Sequence, residues 1–170
     1  MGPFAGPLPH GQLQLSLLGK KDGNLQPCFD YRKLNALTIK DKYPLPLTMD
    51  LVESLLDADT FTKLDLQNVY GNLRVAEGDK DKLAFICRSG QFAPLTMPFG
   101  PTGAPGYFQY FMQDILLGHI GKDVAAYQDD IMIYMKKVSD HKAAVRTVLE
   151  TLSKHTLWLK PEKCRTSYLL

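Results

Sequence analysis

Ala125-Ala126-Tyr127-Gln128-Asp129-Asp130-Ile131-Met132-Ile133-Tyr134 is the stretch whose reading decides the fold. The apolar runs on either side, 125–127 and 131–134, read as strands. Two strands parted by two turn-tolerant residues predict a β-hairpin. Asp accepts turn geometry readily, so Asp129 and Asp130 are expected at the tip. Like charges that close raise one another's pKa, and a divalent cation removes the conflict. A third aspartate, Asp65, stands near the end of another strand-like run, Phe61-Thr62-Lys63-Leu64-Asp65-Leu66, and can complete such a site. Carboxylates with few histidines and no cysteine pair suit a hard ion such as Mg²⁺. A lone Asp-Asp pair is more often a solvated turn, so the rest of the chain must decide.

Outward from the hairpin, Pro105 suits the first turn of a helix, and Phe108, Phe111, Met112, Ile115 and Leu116 follow at helical spacing until Gly118. Ser139 is a candidate N-cap for a second helix, with Ala144, Val145, Val148, Leu149 and Leu152 on its apolar face. Leu157-Trp158-Leu159 reads as a last strand. Leu83–Arg88 and Gln91–Thr96 read as a further hairpin around Ser89-Gly90. From Phe61, with residues 83–96 left out, the order is strand, helix, strand, strand, helix, strand. That is the ferredoxin-like βαββαβ pattern of an α+β fold. It sets Asp65 on a strand beside the hairpin, so the three carboxylates converge on one sheet edge. Upstream, Gln12–Leu17 alternates and Leu25–Tyr31 reads as its partner, with Lys20-Lys21-Asp22-Gly23 as the turn between them. Tyr43-Pro44-Leu45-Pro46 is extended. Asp50 and Glu53 form a capping-box pattern for a short helix.

The chain has 170 residues, 45% hydrophobic and 22% charged, which excludes disordered and collagen-like classes. A net charge of +2 neither favours nor excludes nucleic-acid binding, so any basic surface must be local. Cys28, Cys87 and Cys164 are scattered and odd in number, which points to a reducing compartment rather than a disulfide framework or zinc site. No apolar run has membrane-spanning length, and no basic region with an apolar core opens the chain. The expectation is an intracellular protein of cytoplasm or nucleus, neither secreted nor membrane-bound.

These blocks, in this order, resemble the fingers and palm of a reverse transcriptase from a gypsy-type long-terminal-repeat retrotransposon, from about Leu18 to Cys164. The resemblance rests on Lys20-Lys21-Asp22-Gly23, Asp30-Tyr31-Arg32-Lys33-Leu34-Asn35, Tyr43-Pro44-Leu45-Pro46, Leu64-Asp65-Leu66 with Tyr70, Met97-Pro98-Phe99-Gly100 with Ala104-Pro105, Tyr127-Gln128-Asp129-Asp130, and Lys163-Cys164. It implies a right-hand polymerase fragment. Residues 1–60 would be an N-terminal tail and partial fingers, 61–74 and 97–170 palm, and 75–96 a fingers hairpin, with thumb, connection and ribonuclease H missing.

The resemblance further implies template-directed DNA synthesis from deoxynucleoside triphosphates on a primed RNA or DNA template, within a retrotransposon polyprotein. Asp65, Asp129 and Asp130 would be the catalytic and metal-binding residues for two Mg²⁺ ions, with Mn²⁺ an alternative. Lys20 and Lys21 would contact the triphosphate, with a solvated turn as the plain alternative. Tyr70 would exclude the ribose 2′-hydroxyl, unless it is an ordinary half-buried aromatic. Phe99 and Gly100 would shape the floor under the nucleotide, or make a simple turn. Gln128 occupies the variable place of the Tyr-x-Asp-Asp motif beside the nucleotide. Lys163 would protonate pyrophosphate, or be a loop lysine. Arg32 and Tyr127 would face template and primer, with a salt bridge as the rival for Arg32.

Several residues depart from the family pattern. Gln26 replaces an arginine that grips the triphosphate, Val69 a small residue, and Pro101 and Gly103 the usual Leu and Asn. Two other readings follow from these departures: an inactive remnant, or a host-adopted module that binds nucleic acid or protein on the same fold.

Overall fold

Alternation along Thr60–Gln67 builds the central strand of the larger sheet in this computed structural model, which describes residues 13, 15–19, 23, 25–40, 43–44, 46, 48–56 and 58–168. Thr60, Thr62, Leu64 and Leu66 are buried on one face, and Phe61, Lys63 and Asp65 point to the other. The chain divides into two compact units, residues 1–42 with 70–107 and residues 43–69 with 108–170. These divisions differ from the ones expected after residues 60, 74 and 96.

In the first unit, β1 (Leu15–Gly19) pairs antiparallel with β2 (Leu25–Phe29), so Gln26 lies opposite Leu18. β1 runs on to Gly19, past the expected end at Leu17, while Gln12 and Gln14 lie outside the described residues; β2 stops at Phe29, and Tyr31 is a core residue beyond it. A short helix that the sequence does not announce, α1 (Arg32–Leu37), follows. Its one buried residue is Leu34, too little periodicity to register as a helical stripe. Leu13, Tyr31, Leu34, Val75 and Leu83 form the core, with Phe29 and Phe85 against it.

The second unit holds α2 (Thr48–Leu55) and β3, the central strand Thr60–Gln67. The first unit's remaining strands, β4 (Phe85–Cys87) and β5 (Gly90–Phe92), form a small hairpin. α3 spans Ala104–Ile115. β6 (Val124–Tyr127), β7 (Asp130–Met135), α4 (Val138–Lys154), β8 (Trp158–Leu159) and β9 (Arg165–Tyr168) complete the second unit. The sheet order is β6-β7-β3-β8, with β9 also on β3, and every pairing is antiparallel. This is the expected ferredoxin-like arrangement, with its last strand broken into β8 and β9. Ile131 and Ile133 of β7 stand opposite Leu64 and Thr62, and all four are buried. Phe108, Met112 and Leu116, on and just past α3, and Val148 and Leu152 of α4 are also buried. On the other face, Leu51 and Leu55 of α2 pack with Ala58, Phe61, Ala125, Met132 and Tyr134.

Three local expectations change. Helix α2 begins at Thr48, which places Asp50 inside its first turn rather than at the cap. Helix α4 begins at Val138, and Ser139 Oγ bonds Asp140 Oδ1 at 3.0 Å instead of capping. At both hairpins the tip falls one residue early: Arg88-Ser89 in place of Ser89-Gly90, and Gln128-Asp129 in place of Asp129-Asp130. In each case the second residue of the expected tip already pairs in the returning strand.

His141 of α4 is 2% exposed, with Nε2 at 2.7 Å from Thr62 Oγ1. Burial pushes its pKa below the usual histidine value. The unfolded chain therefore binds this proton more readily than the folded one. Stability should be fully present above about pH 6.5 and fall as pH drops from there toward the lowered native value. Urea unfolding from pH 7.5 to 5 should show that slope, and His141→Gln should flatten it. An unchanged slope in the variant would assign it to other groups.

Candidate active site

Strand register sets two of the three expected aspartates, Asp65 and Asp130, across from one another. Asp65 stands directly opposite Asp130 across β3 and β7, so both side chains leave the same face of the sheet. Leu66 N–H donates to Asp129 O at 2.9 Å, which ties the turn to the central strand. The turn is Gln128-Asp129, and Asp130 pairs with Tyr127 as the first residue of β7.

Gln128 holds a left-handed backbone, φ +51°. That conformation costs a non-glycine residue about 1–2 kcal/mol. A compensation lies behind it. Gln109 of α3 is fully buried; its Nε2 donates to Ala126 O at 2.9 Å, and its Oε1 accepts the Gln128 N–H at 3.0 Å. One buried amide thus clamps both sides of the turn. The 108–116 stripe reads from sequence as plain core, and Gln109 carries no expectation there; a lone amide among Phe108, Phe111 and Met112 is the signal that could have found it.

Asp65 is 6% exposed, yet it is not isolated. Lys160 Nζ lies 2.9 Å from its Oδ1 and Lys163 Nζ 3.5 Å from its Oδ2. Burial pushes the Asp65 carboxyl up, but the hydrogen bond and charge of Lys160, with Lys163, outweigh it and hold the pKa below the usual range. Lys63, on the same face, pairs with Asp130 Oδ1 at 3.0 Å. Lys63 and Lys160 carried no sequence expectation. Among the described residues, no three His, Cys, Asp or Glu side chains are grouped closely enough to hold a metal ion. The donor chemistry nonetheless fits a hard divalent cation: the oxygens are carboxylate, and the buried one already draws two positive charges.

A family model described as reverse transcriptase (RNA-dependent DNA polymerase) matches residues 18–168. The chain belongs to the reverse transcriptase family. Two relatives, the Tf2-3 and Tf2-7 transposon polyproteins of Schizosaccharomyces pombe, are each 41% identical to it over 145 residues, 85% of the chain. The chain spans 11% of the length of each. Solved structures of foamy viral protease-reverse transcriptase resemble this reverse transcriptase chain in fold. The complex with RNA/DNA hybrid has a TM-score of 0.80 at 19% identity, over 93% of the chain and 21% of that protein. A complex with double-stranded DNA has a TM-score of 0.81 at 20% identity, over 94% and 33%. Reverse transcriptases as a family work with divalent metal ions.

The family's other positions distribute as follows. Lys20 and Lys21 lie outside the described residues, as does the side chain of Gln26, whose backbone belongs to β2. In the first unit, Tyr70 sits in a 3₁₀ turn, Val69–Asn72, rather than a strand. Its ring meets Phe99 edge-on, with centroids 5.0 Å apart. Gly100 adopts φ +117°, and a Cβ there would stand 2.8 Å from Tyr31 Cδ2, so this turn requires glycine. Asn35 braces the same turn: its Nδ2 donates to Gly100 O and its Oδ1 accepts the Thr102 N–H, both at 2.9 Å. The turn therefore forms despite Pro101. Arg32 is spent on Asp30, with hydrogen bonds of 2.7–3.1 Å that hold the Asp30 carboxyl down to about 2. Tyr127 is exposed on β6, next to the acidic turn. No described helix is long and apolar enough to cross a membrane.

Proposed function

We propose that this chain is the fingers and palm of a gypsy-type retrotransposon reverse transcriptase, part of a longer polyprotein. It extends a primer 3′ end on an RNA or DNA template from deoxynucleoside triphosphates. The sheet unit serves as palm, and the unit carrying β1, β2, β4 and β5 as fingers. The observation that carries this reading is Asp65 opposite Asp130 beside the clamped Gln128-Asp129 turn, on a ferredoxin-like sheet. Asp65 and Asp129 would hold two Mg²⁺ ions, with Asp130 assisting and Mn²⁺ as an alternative. Such ions, when bound, make the primer 3′-hydroxyl more acidic and neutralise the leaving pyrophosphate. The chain's own residues supply position and charge: Gln109 fixes the turn that carries Asp129, β3 fixes Asp65, and Lys163, 3.5 Å from Asp65 Oδ2, would donate a proton to the leaving group. Lys20, Lys21 and Gln128 belong to the nucleotide side, and Tyr127 to the primer. The chain works inside the cell, in cytoplasm or nucleus.

Primer extension on a homopolymer RNA template with Mg²⁺ tests polymerisation, and sugar choice tests the nucleotide site. Tyr70→Val should admit ribonucleotides on the order of tenfold or more better, because the ring that blocks the 2′-hydroxyl is gone. Equal ribonucleotide incorporation by parent and variant would remove Tyr70 from the gate.

Gln26→Arg should raise nucleotide kcat/KM. An arginine offers a charged fork for phosphate oxygens where Gln offers a neutral amide. A charge-assisted contact is worth about 1.5–3 kcal/mol, roughly ten- to a hundredfold. Steady-state kinetics with nucleotide varied, then primer–template varied, should confine the gain to nucleotide. No gain in a folded variant would put position 26 outside the triphosphate site.

A further inference from the structure

The break in the last strand of the sheet is placed opposite Asp65. β8 pairs with Leu66 and Gln67, and β9 pairs with Thr60–Lys63. Between them the chain leaves the ladder at Lys160 and makes a 3₁₀ turn, Pro161–Lys163. Lys160 is fixed there by its backbone: its N–H donates to Asp65 O at 2.8 Å, and its own carbonyl accepts the N–H of Lys163 at 3.0 Å and of Cys164 at 3.2 Å. Proline at 161 suits such a departure, because it has no N–H to give to a ladder. An unbroken strand would alternate its side chains between faces; the turn instead delivers Lys160 and Lys163 to the same carboxylate. Their contacts are unequal. Lys160 Nζ is at 2.9 Å and its side chain is 27% exposed, whereas Lys163 Nζ is at 3.5 Å and 57% exposed.

We propose that Lys160 is a positioning residue that competes with a divalent cation for Asp65 Oδ1, and so sets how tightly the site holds metal. The proposal rests on the reading of Asp65 as a metal ligand. Two cations on one carboxylate oxygen repel, so an ion that takes Oδ1 displaces the Lys160 ammonium. Lys160 thereby holds the Asp65 carboxylate aimed, at the cost of weaker metal binding. Lys163, held by a longer and more exposed contact, exerts less of this effect and can swing away without unmaking the hydrogen bond at Oδ1.

The test is Mn²⁺ binding by electron paramagnetic resonance, with thermal melting in parallel, on the parent chain, Lys160→Met, Lys160→Arg and Asp65→Asn. Lys160→Met keeps an apolar stem and removes the charge, and its Mn²⁺ affinity should rise on the order of tenfold, the scale of one charge-assisted hydrogen bond. Its melting temperature should fall without Mn²⁺ and recover more than the parent's when Mn²⁺ is added, because the ion replaces the missing charge. Lys160→Arg retains the charge and should bind Mn²⁺ like the parent. Asp65→Asn should lose binding. If Lys160→Met proves poorly folded, Lys160→Gln carries the same expectation. Unchanged Mn²⁺ affinity on loss of the Lys160 charge, with binding still lost in Asp65→Asn, would overturn the role of Lys160 and leave the metal site standing. Parent-like binding by Asp65→Asn would overturn the metal reading of Asp65 and this proposal with it.

Discussion

Replacing Asp65 by Asn is expected to lower nucleotide incorporation at least about a thousandfold while the chain keeps its fold. Transition-state charge stabilisation by bound metal is worth several kcal/mol, and each 1.36 kcal/mol is tenfold in rate. The fold should survive because an amide has the shape of the carboxylate, and its oxygen still accepts from Lys160, 2.9 Å away. The strand itself is held by backbone pairing to β7, β8 and β9, which the side chain does not enter. Asp129→Asn should behave alike, since Asp129 lies in a turn and outside the buried core. Single-nucleotide incorporation rates, with thermal melting as the control for folding, separate chemistry from stability. A folded Asp65→Asn chain that incorporates at the parent's rate would remove this residue from the reaction.

Gln109→Leu should cost about 2–6 kcal/mol of stability, from the buried Ala126 carbonyl and the half-buried Gln128 N–H left unsatisfied at about 1–3 kcal/mol each. Leucine matches the volume well enough to fill the site, so the loss is one of hydrogen bonds. The Ala126 carbonyl and the Gln128 N–H both lose their partner. The left-handed Gln128, at φ +51°, also loses the bond that offsets its strain. Urea denaturation of parent and variant gives the difference directly. The turn carries Asp129, so incorporation by the folded fraction should fall too. A change below about 0.5 kcal/mol would mean that water replaces the amide and that the clamp is incidental.

The ferredoxin-like order was legible because its strands and helices carry strong periodic signals. Phe61–Leu66 alternates against one buried face, and Phe108, Met112 and Leu116 repeat at helical spacing. That Asp65 lies on the strand beside the acidic hairpin was legible from the order of these elements. What local sequence did not convey was register. Asp129-Asp130 and Ser89-Gly90 both look like tips from composition, but the tip is set by which residues pair across the ladder. That depends on contacts far away in sequence. In the acidic hairpin those contacts include Gln109, whose partners lie 17 and 19 residues on. Lys160, unlike Lys163, was hidden for the same reason. Lys160 is 95 residues from Asp65, and only the break between β8 and β9 places it there. Helix α1 escaped because six residues with one buried position carry almost no pattern. The resemblance supplied roles for Tyr70, Phe99 and Gly100; the structure adds that Gly100 is demanded by Tyr31 and by its own backbone, whatever else it does.

If the acidic end of this sheet is a metal-dependent polymerase centre, a primer-extension time course will show it. The reaction uses a homopolymer RNA template with the complementary deoxynucleoside triphosphate. It is run with Mg²⁺, with Mg²⁺ plus excess chelator, and with Asp129→Asn in place of the parent chain. Products should lengthen with time under Mg²⁺, and none should form in the other two reactions. No extension by the folded parent at any protein or metal concentration, or equal extension by Asp129→Asn, would contradict the polymerase reading.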